Sequence, residues 1–294
     1  MSDFSKKLNS IANSTNSYLE KFFLRKKNSS YLLKSMRYGV FSGGKRFRSA
    51  IVVNTGKIYN IDYKKLIILG SAIECIHSYS LIHDDLPAMD NDDLRRGKLS
   101  VHKKFNEFTA ILAGNSLLTL AFEILSGEDL QISQNYKNDL IKTLSSSSGH
   151  SGLAGGQYSD LTFENKNISK KNIINMQKKK TGELFGFCCE SIAIIKNLNL
   201  EKRRKLKNIG INIGLLFQTV DDLIDHRGDS AIVGKPTKRD KKKGKATLVN
   251  LLGYSETKSF AINLKKQIDN QIKKYGNKSD DLIDSVQFIL DRKF

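Results

Sequence analysis

The chain has 294 residues, of which 39% are hydrophobic, 2 are proline and none is tryptophan, and its formal net charge is +19. This balance is typical of a soluble globular protein with long uninterrupted helices, and nothing in it indicates disorder. No apolar run approaches the roughly 20 residues that span a bilayer, and the N-terminal segment lacks a signal-peptide core. We therefore expect one cytoplasmic domain over residues 1–294, without stable membrane insertion.

The positive charge suits a polyanion, an anionic membrane surface or a phosphorylated substrate. Its lysines are spread along the whole chain, as in the pairs at 64–65, 170–171 and 265–266, without interleaved aromatic residues. A nucleic-acid-binding protein usually concentrates its basic residues in one patch or motif. We therefore expect no nucleic-acid partner.

Apolar residues return every three or four positions over most of the chain, which is the spacing of amphipathic helices. Short alternating strands bounded by hairpin turns are nearly absent. The fold class is therefore predicted to be an all-α helical bundle. In chain order, the predicted helices cover residues 18–38, 49–59, 67–80, 109–125, 136–146, 169–195, 200–225 and 256–275.

The first acidic motif follows the helix predicted over 67–80 and contains Asp84, Asp85 and Asp90. Carboxylates this close repel one another, so a cation or hydrogen bonds must compensate them. Pro87 interrupts regular helix and lets Asp90 turn back toward Asp84. Taken alone, the stretch is interpreted more simply as an acidic, solvated loop.

The second acidic motif, Asp221, Asp222 and Asp225, weakens that simple interpretation because it also ends an apolar helical segment. Asp221 and Asp225 are one turn apart and share a helix face, with Gln218 one turn earlier. Mg²⁺ prefers hard oxygen ligands and keeps coordination positions for water and phosphate oxygens. Two such motifs therefore predict a site for several Mg²⁺ ions.

Basic residues near both motifs would neutralise the phosphate oxygens that metal ions leave free. The segment at 42–45 is only loosely similar to a phosphate loop, since it lacks the spacing of a P-loop and follows no predicted strand. An ATP-binding interpretation is therefore disfavoured. The basic candidates for a diphosphate site are Lys45, Arg46, Arg48, Arg95, Arg96, Lys180, Lys235 and Lys245.

Taken together, these residues resemble the trans-isoprenyl diphosphate synthases over residues 31–252, and the pattern is most like that of the bacterial members that make farnesyl diphosphate. The resemblance implies an isoprenoid synthase fold with a central apolar cavity, a magnesium-dependent prenyltransferase activity and a homodimer. The matching blocks, in order along the chain, are 43–48, 80–97, 152–160, 180–182 and 217–245.

The resemblance also implies a role for each matching residue. Asp84, Asp85 and Asp90 would hold two Mg²⁺ ions against the allylic diphosphate, and Asp221, with Asp222 and Asp225 behind it, would hold a third. Contacts to the allylic diphosphate or its metals would come from Arg95, Lys180, Thr181, Gln218, Lys235 and Lys245. Isopentenyl diphosphate would be held by Gly44, Lys45, Arg48, His77 and Arg96, although an ordinary core histidine is the simpler interpretation of His77.

The implied reaction ionises the allylic diphosphate, condenses the resulting cation with isopentenyl diphosphate and eliminates a proton. Tyr79, five residues before Asp84, matches the position where a bulky aromatic in this family limits growth to fifteen carbons. Ser80 is the second candidate for control of chain length. Dimethylallyl and geranyl diphosphate would thus be extended to farnesyl diphosphate. The sequence departs from the family pattern at Ser49, Leu99, Ser100 and Glu183.

Three alternatives remain open. A geranylgeranyl diphosphate synthase would share every motif and differ only in the depth of its cavity. A non-catalytic regulatory subunit of a prenyl synthase is more remote, because such subunits lose aspartates from one motif and both motifs are intact here. A terpene cyclase would not need the isopentenyl-binding residues Lys45, Arg48 and His77.

Overall fold

A computed structural model describes residues 3–26, 30–227 and 244–292, and nearly all of the secondary structure in these residues is helical. The prediction of an all-α fold is confirmed. The α-helices are α1 Asp3–Leu24, α2 Tyr31–Val40, α3 Phe47–Ile58, α4 Tyr63–Asp84, α5 Val101–Lys104, α6 Glu107–Ser126, α7 Gln134–Ser148, α8 Leu153–Thr162, α9 Lys170–Gln177, α10 Glu183–Ile195, α11 Leu200–Arg227, α12 Leu248–Leu252, α13 Tyr254–Ile272 and α14 Asp280–Leu290.

The chain divides into two compact units, and it passes from one to the other within α3, before α4 and within α7. Unit 1 comprises residues 1–53 and 61–141, and unit 2 comprises residues 54–60 and 142–294. A single domain over residues 1–294 stays a prediction.

In unit 1, α4 packs against α6, α1 and α2. Helix α4 begins where Asp62 caps it by accepting a hydrogen bond from the backbone N–H of Lys65 at 3.2 Å. Its residues are apolar around the whole circumference, which is typical of a helix buried on all sides. By length and composition α4 and α6 could each cross a membrane, but 83% of the apolar window of α4 is buried inside the protein, against 50% for α6.

In unit 2, α10 and α11 pack closely because glycines line their contact. A Cβ atom on Gly210 would lie 2.3 Å from the carbonyl oxygen of Phe185, and one on Gly214 would lie 2.7 Å from the Cα of Gly182. No side chain fits at such distances, so these glycines set the spacing of the two helices. A π-helical turn, Lys178–Gly182, joins α9 to α10, and a 3₁₀ segment, Lys273–Ser279, joins α13 to α14.

The prediction of a single helix over residues 18–38 is wrong, because α1 ends at Leu24 and a separate helix, α2, begins at Tyr31. Ser30 caps the second helix by accepting a hydrogen bond from the backbone N–H of Leu33 at 3.2 Å. A serine in that position satisfies the open N–H groups of a new helix, so it favours a helix start over continuation. The segment of α1 before residue 18 was also not predicted, and neither were α8, α14 and the short helices α5 and α12.

Candidate functional site

The first acidic motif lies in unit 1, at the end of α4, where the chain folds back on itself. Asp84 is the last residue of the helix. The backbone N–H of Asp90 donates to the carbonyl oxygen of Asp84 at 2.9 Å, and that of Asp92 donates to Asp85 at 3.1 Å. The expectation that Asp90 turns back toward Asp84 after Pro87 is confirmed. The turn therefore brings the backbone of Asp90 and Asp92 against that of Asp84 and Asp85.

Asp85 is the buried member of this motif, and its partner is Arg95. The Nε of Arg95 donates to the two carboxylate oxygens at 3.0 and 3.2 Å, and its Nη2 also donates to Asp85. Burial disfavours the charged guanidinium, but the bonds to Asp85 and the charges of Asp85, Asp84 and Asp92 outweigh it and raise the pKa of Arg95. Asp84 and Asp90 are half-buried, so their carboxylates can still meet a ligand.

A short hairpin carries the arginine pair. Strand β1, Leu94–Arg95, pairs antiparallel with β2, Lys98–Leu99, and the turn between them has positive φ at Arg96 (54°) and Gly97 (75°). Two positive φ angles define the tight hairpin turn that matches strand twist. The turn directs Arg96 to the carbonyl oxygen of Gly43, to which it donates. Gly44 has a φ of 116°, which residues with a Cβ rarely adopt, and a Cβ there would lie 2.5 Å from the same guanidinium, so glycine is favoured at this position.

Arg46 behaves differently from the other basic residues of its block. Its side chain is buried, and it donates from Nε to Asn16 at 2.9 Å and from Nη2 to the carbonyl oxygen of Val40 at 2.6 Å. A third contact, at 3.6 Å, joins it to the buried carboxylate of Glu74. Arg46 therefore anchors the loop to the core of unit 1, whereas Lys45 is exposed.

His77 is half-buried on α4 and lies in a strongly cationic environment. Burial and the charges of Arg48, Arg96, Arg46 and Arg95 hold the pKa of His77 well below its usual range. The imidazole is therefore neutral at pH 7 and adds no further positive charge. An anion bound among these arginines would relieve their mutual repulsion, as a diphosphate does.

Tyr79 and Ser80, the two candidates for chain-length control, are both buried on α4. The Tyr79 ring lies edge-on to His83, with 5.4 Å between the ring centroids. Burial, and then the charge of Asp84, raise the pKa of Tyr79. The hydroxyl of Ser80 donates to the carbonyl oxygen of His77 at 2.9 Å, so it is satisfied within its own helix.

In unit 2, Asp160 brings together two of the lysines predicted from the sequence. Its Oδ2 accepts from Lys180 at 2.6 Å and from Lys245 at 2.8 Å. Burial raises the pKa of Asp160, but the two lysines outweigh that effect and the net shift is downward. The π-helical turn that carries Lys180 approaches α8 closely, since a Cβ on Gly156 would lie 2.1 Å from the backbone nitrogen of Lys180.

The second acidic motif also has one buried aspartate, Asp222. It accepts from the side-chain amide of Gln177 at 2.7 Å and from that of Gln218 at 2.9 Å. Gln218 in turn accepts from the hydroxyl of Thr181 at 2.9 Å. This chain of hydrogen bonds fixes the orientation of three predicted site residues in unit 2. Asp221 and Asp225 are half-buried on the same helix, α11.

Each acidic motif keeps two half-buried aspartates, Asp84 and Asp90 in unit 1 and Asp221 and Asp225 in unit 2, and their carboxylate oxygens are donors of the kind that Mg²⁺ prefers. Within residues 3–26, 30–227 and 244–292, no three Asp, Glu, His or Cys side chains form a closed metal cage. Mg²⁺ does not need one, because it is usually bound through one or two carboxylates together with water and substrate phosphates. The remaining predicted residue, Lys235, lies outside the described residues.

The sequence did not predict the structural roles of three residues, Asp160, Gln177 and Arg46. In the case of Arg46, it did not predict that the side chain faces inward. Asp160 had a usable signal, since it ends the block at 152–160 and shares a helix face with Gly156, one turn earlier. Gln177 and Arg46 had none, because their partners are distant in sequence.

Comparison with known proteins gives consistent matches. A family model described as polyprenyl synthetase matches residues 29–287. The farnesyl diphosphate synthase of Micrococcus luteus is 38% identical, over 90% of each chain. An FPP/GFPP synthase from Zymomonas mobilis has a similar structure, with a TM-score of 0.85, 38% identity and coverage of 96% of this chain and 99% of the other. A geranyltransferase from Helicobacter pylori, crystallised with magnesium and isoprenyl diphosphate, has a TM-score of 0.82, 29% identity and coverage of 99% and 97%.

Proposed function

We propose a function from one premise: the chain belongs to the polyprenyl synthetase family. The function is that of a magnesium-dependent trans-prenyltransferase, which condenses isopentenyl diphosphate with dimethylallyl and then geranyl diphosphate to give farnesyl diphosphate. The observation that carries it is the pair of acidic motifs, each with one buried, hydrogen-bonded aspartate and half-buried neighbours. The name and 38% identity of the Micrococcus luteus enzyme support the choice of product.

In unit 1, the residues around His77 are proposed to hold isopentenyl diphosphate. Several cations within reach of one another, with a neutral imidazole among them, match a ligand that carries multiple negative charges. Gly44 keeps room for the guanidinium of Arg96. The proposed contacts are Gly44, Lys45, Arg48, His77 and Arg96.

The allylic diphosphate is proposed to bind through both acidic motifs and the basic residues beside them. Three Mg²⁺ ions are assigned to the site, two to Asp84, Asp85 and Asp90 and one to Asp221 with Asp225, and when bound they would stabilise the charge that develops on the departing diphosphate. Arg95 holds Asp85, while Asp222 is held by two glutamine amides. The other proposed contacts are Lys180, Thr181, Gln218, Lys235 and Lys245.

The fifteen-carbon product is proposed to depend on Tyr79, whose buried ring lies five residues before Asp84. Replacing it by alanine removes an aromatic side chain and leaves space for a longer chain. We expect Tyr79→Ala to shift the main product to twenty carbons or more, measured by chromatography of the dephosphorylated products. Tyr63→Phe, at the exposed start of the same helix, is the control and should keep the wild-type product. An unchanged fifteen-carbon product from Tyr79→Ala would refute this role.

A geranylgeranyl diphosphate synthase is the alternative that Tyr79 argues against. The similarity to an enzyme described as an FPP/GFPP synthase indicates that product length must be measured for each chain. A non-catalytic regulatory subunit is opposed by the presence of all six aspartates in the two motifs. Isopentenyl diphosphate consumption that requires both Mg²⁺ and an allylic diphosphate would exclude a regulatory subunit.

A homodimer is proposed to form through the outer face of α6. Phe108, Ile111 and Leu112 lie on this helix and are 66%, 43% and 49% exposed. Ile111 and Leu112 follow Phe108 by three and four residues, so the three side chains form one apolar face that a second copy of the chain would bury. We expect Leu112→Glu to convert a dimer to a monomer in sedimentation experiments, and a dimer that persists in this variant would contradict the proposed interface. The proposed location is the cytoplasm.

The direct test of the chemistry is an assay with purified protein and radiolabelled isopentenyl diphosphate. Transfer of label to an allylic diphosphate should require Mg²⁺ and stop when EDTA is added. Label transfer without a divalent metal, or none with it, would contradict the proposal.

A further inference from the structure

Arg292, near the C-terminal end of the described chain, lies on the second acidic motif. One of its guanidinium nitrogens donates to Oδ1 of Asp221. Its guanidinium carbon also lies 4.4 Å from the centroid of the Phe217 ring, one helical turn before Asp221 on α11. The Arg292 side chain is only 18% exposed. Two contacts within unit 2 thus hold this arginine over a carboxylate that the proposed function assigns to a metal ion.

A guanidinium docked on Oδ1 of Asp221 competes with a divalent cation for that oxygen, because the two cations repel each other. The contact with Arg292 is suited to exchange. Asp221 is 42% exposed, and ion pairs with that much solvent access are weak. The Nε of Arg292 is buried and has no hydrogen-bond partner among the described residues, which adds a cost to the docked arrangement.

We propose that Arg292 is an exchangeable counter-cation of Asp221, which occupies this carboxylate until a divalent metal ion displaces it. The inference rests on the proposed function, since Asp221 is assigned to the metal there. Asp222 is already neutralised in part by two amide donors, and Asp221 lies next to it on α11. Without a metal ion, Arg292 reduces the repulsion among these carboxylates. With a metal ion, Arg292 is released together with the end of α14.

Metal affinity, measured without any isoprenoid, tests the competition. Mn²⁺ is titrated into the full-length chain, and the free ion is followed by its electron paramagnetic resonance signal. We expect Arg292→Gln to bind Mn²⁺ about three- to tenfold more tightly than wild type. In the variant, the metal ion does not have to displace a guanidinium from Asp221 before it binds. Lys274→Gln removes the same charge from an exposed lysine and should leave the affinity unchanged. Equal affinities for wild type and Arg292→Gln, or weaker binding by the variant, would overturn the proposal.

Release of the C-terminal segment is the second readout. Hydrogen–deuterium exchange of residues 280–292 should increase in wild type when Mg²⁺ is added. Asp221→Asn should show the higher exchange already without metal, provided that circular dichroism shows the variant to be folded. No response of this segment to Mg²⁺ would also overturn the proposal.

The two proposals fail in different ways. If Asp221→Asn keeps wild-type metal affinity and prenyl transfer, the assignment of Asp221 as a metal ligand is wrong. If prenyl transfer is normal in wild type and lost in Asp221→Asn, while Arg292→Gln binds Mn²⁺ as wild type does, only the role of Arg292 is wrong.

Discussion

The two acidic motifs solve the same electrostatic problem with different partners. Asp85, buried in the first, is neutralised by the guanidinium of Arg95, whereas Asp222, buried in the second, is held by the neutral amides of Gln177 and Gln218. Two further aspartates, Asp92 and Asp93, follow the first motif directly in the chain. The guanidinium charge therefore stabilises the buried carboxylate of the first motif, and amide dipoles contribute to stabilising that of the second. In each motif the buried aspartate leaves its half-buried neighbours to meet a ligand.

The largest expected effect is a loss of kcat/KM, and it should be greater for the motif to which more metal ions are assigned. Asp84→Asn removes a ligand from the motif that is proposed to hold two ions, and we expect kcat/KM to fall by about a thousandfold. Asp221→Asn affects the motif that is proposed to hold one ion, and we expect a fall of about a hundredfold. Steady-state kinetics at saturating Mg²⁺ measures both.

Asp93→Asn is the matched control for this pair of variants. Asp93 belongs to the same acidic stretch, but its carboxylate is 64% exposed and pairs with Lys103 at 3.1 Å. The kcat/KM of the Asp93→Asn variant should remain within about threefold of the wild-type value, because a surface ion pair contributes little. Equal losses in all three variants would show that the total acidic charge matters and the individual ligands do not.

The next effect concerns stability and compares the partners of the two buried aspartates. Arg95→Gln leaves the carboxylate of Asp85 buried without its cation, and we expect a loss of about 3–5 kcal/mol in the free energy of unfolding. Gln177→Leu removes a neutral amide donor to Asp222, so we expect a loss of about 1–3 kcal/mol. Urea denaturation of both variants measures the difference. If Gln177→Leu is as costly as Arg95→Gln, charge is not what distinguishes the two motifs.

The smallest effect is a pH dependence at Asp160, the buried carboxylate that joins Lys180 to Lys245. Its pKa is lowered in the folded protein, so the deprotonated form contributes stability at pH values above the unfolded pKa of about 3.9. That contribution is lost as the pH falls through the lower, folded pKa. We expect wild type to be more stable than Asp160→Asn at pH 7, with the difference shrinking below about pH 4. A difference that is constant between pH 7 and pH 3 would contradict the shift.

Much of this molecule could be predicted from local sequence patterns. The apolar periodicity located most helices, and Pro87 correctly indicated the turn that brings Asp90 back to Asp84. Local patterns failed where an N-cap residue sets the start of a helix. Ser30 caps a new helix within the segment that was predicted as a single helix. They also failed where partners are distant in sequence.

Arg46 illustrates that second failure. Sequence alone gives it the same weight as Lys45 and Arg48, and only the fold shows that it turns inward to Glu74 and Asn16. In the same way, the link between Gln177 and Asp222 spans 45 residues and has no signal in either segment. Motifs with fixed spacing can therefore be recognised in a sequence, whereas the residues that hold them in place require the structure.

The most direct measurement is the chain length of the product formed from isopentenyl and dimethylallyl diphosphate with Mg²⁺ by the purified protein. We expect a fifteen-carbon diphosphate as the main product, formed only when the metal ion is present. A main product of twenty carbons would show that Tyr79 does not close the cavity. The absence of any condensation product would contradict the proposed enzyme itself.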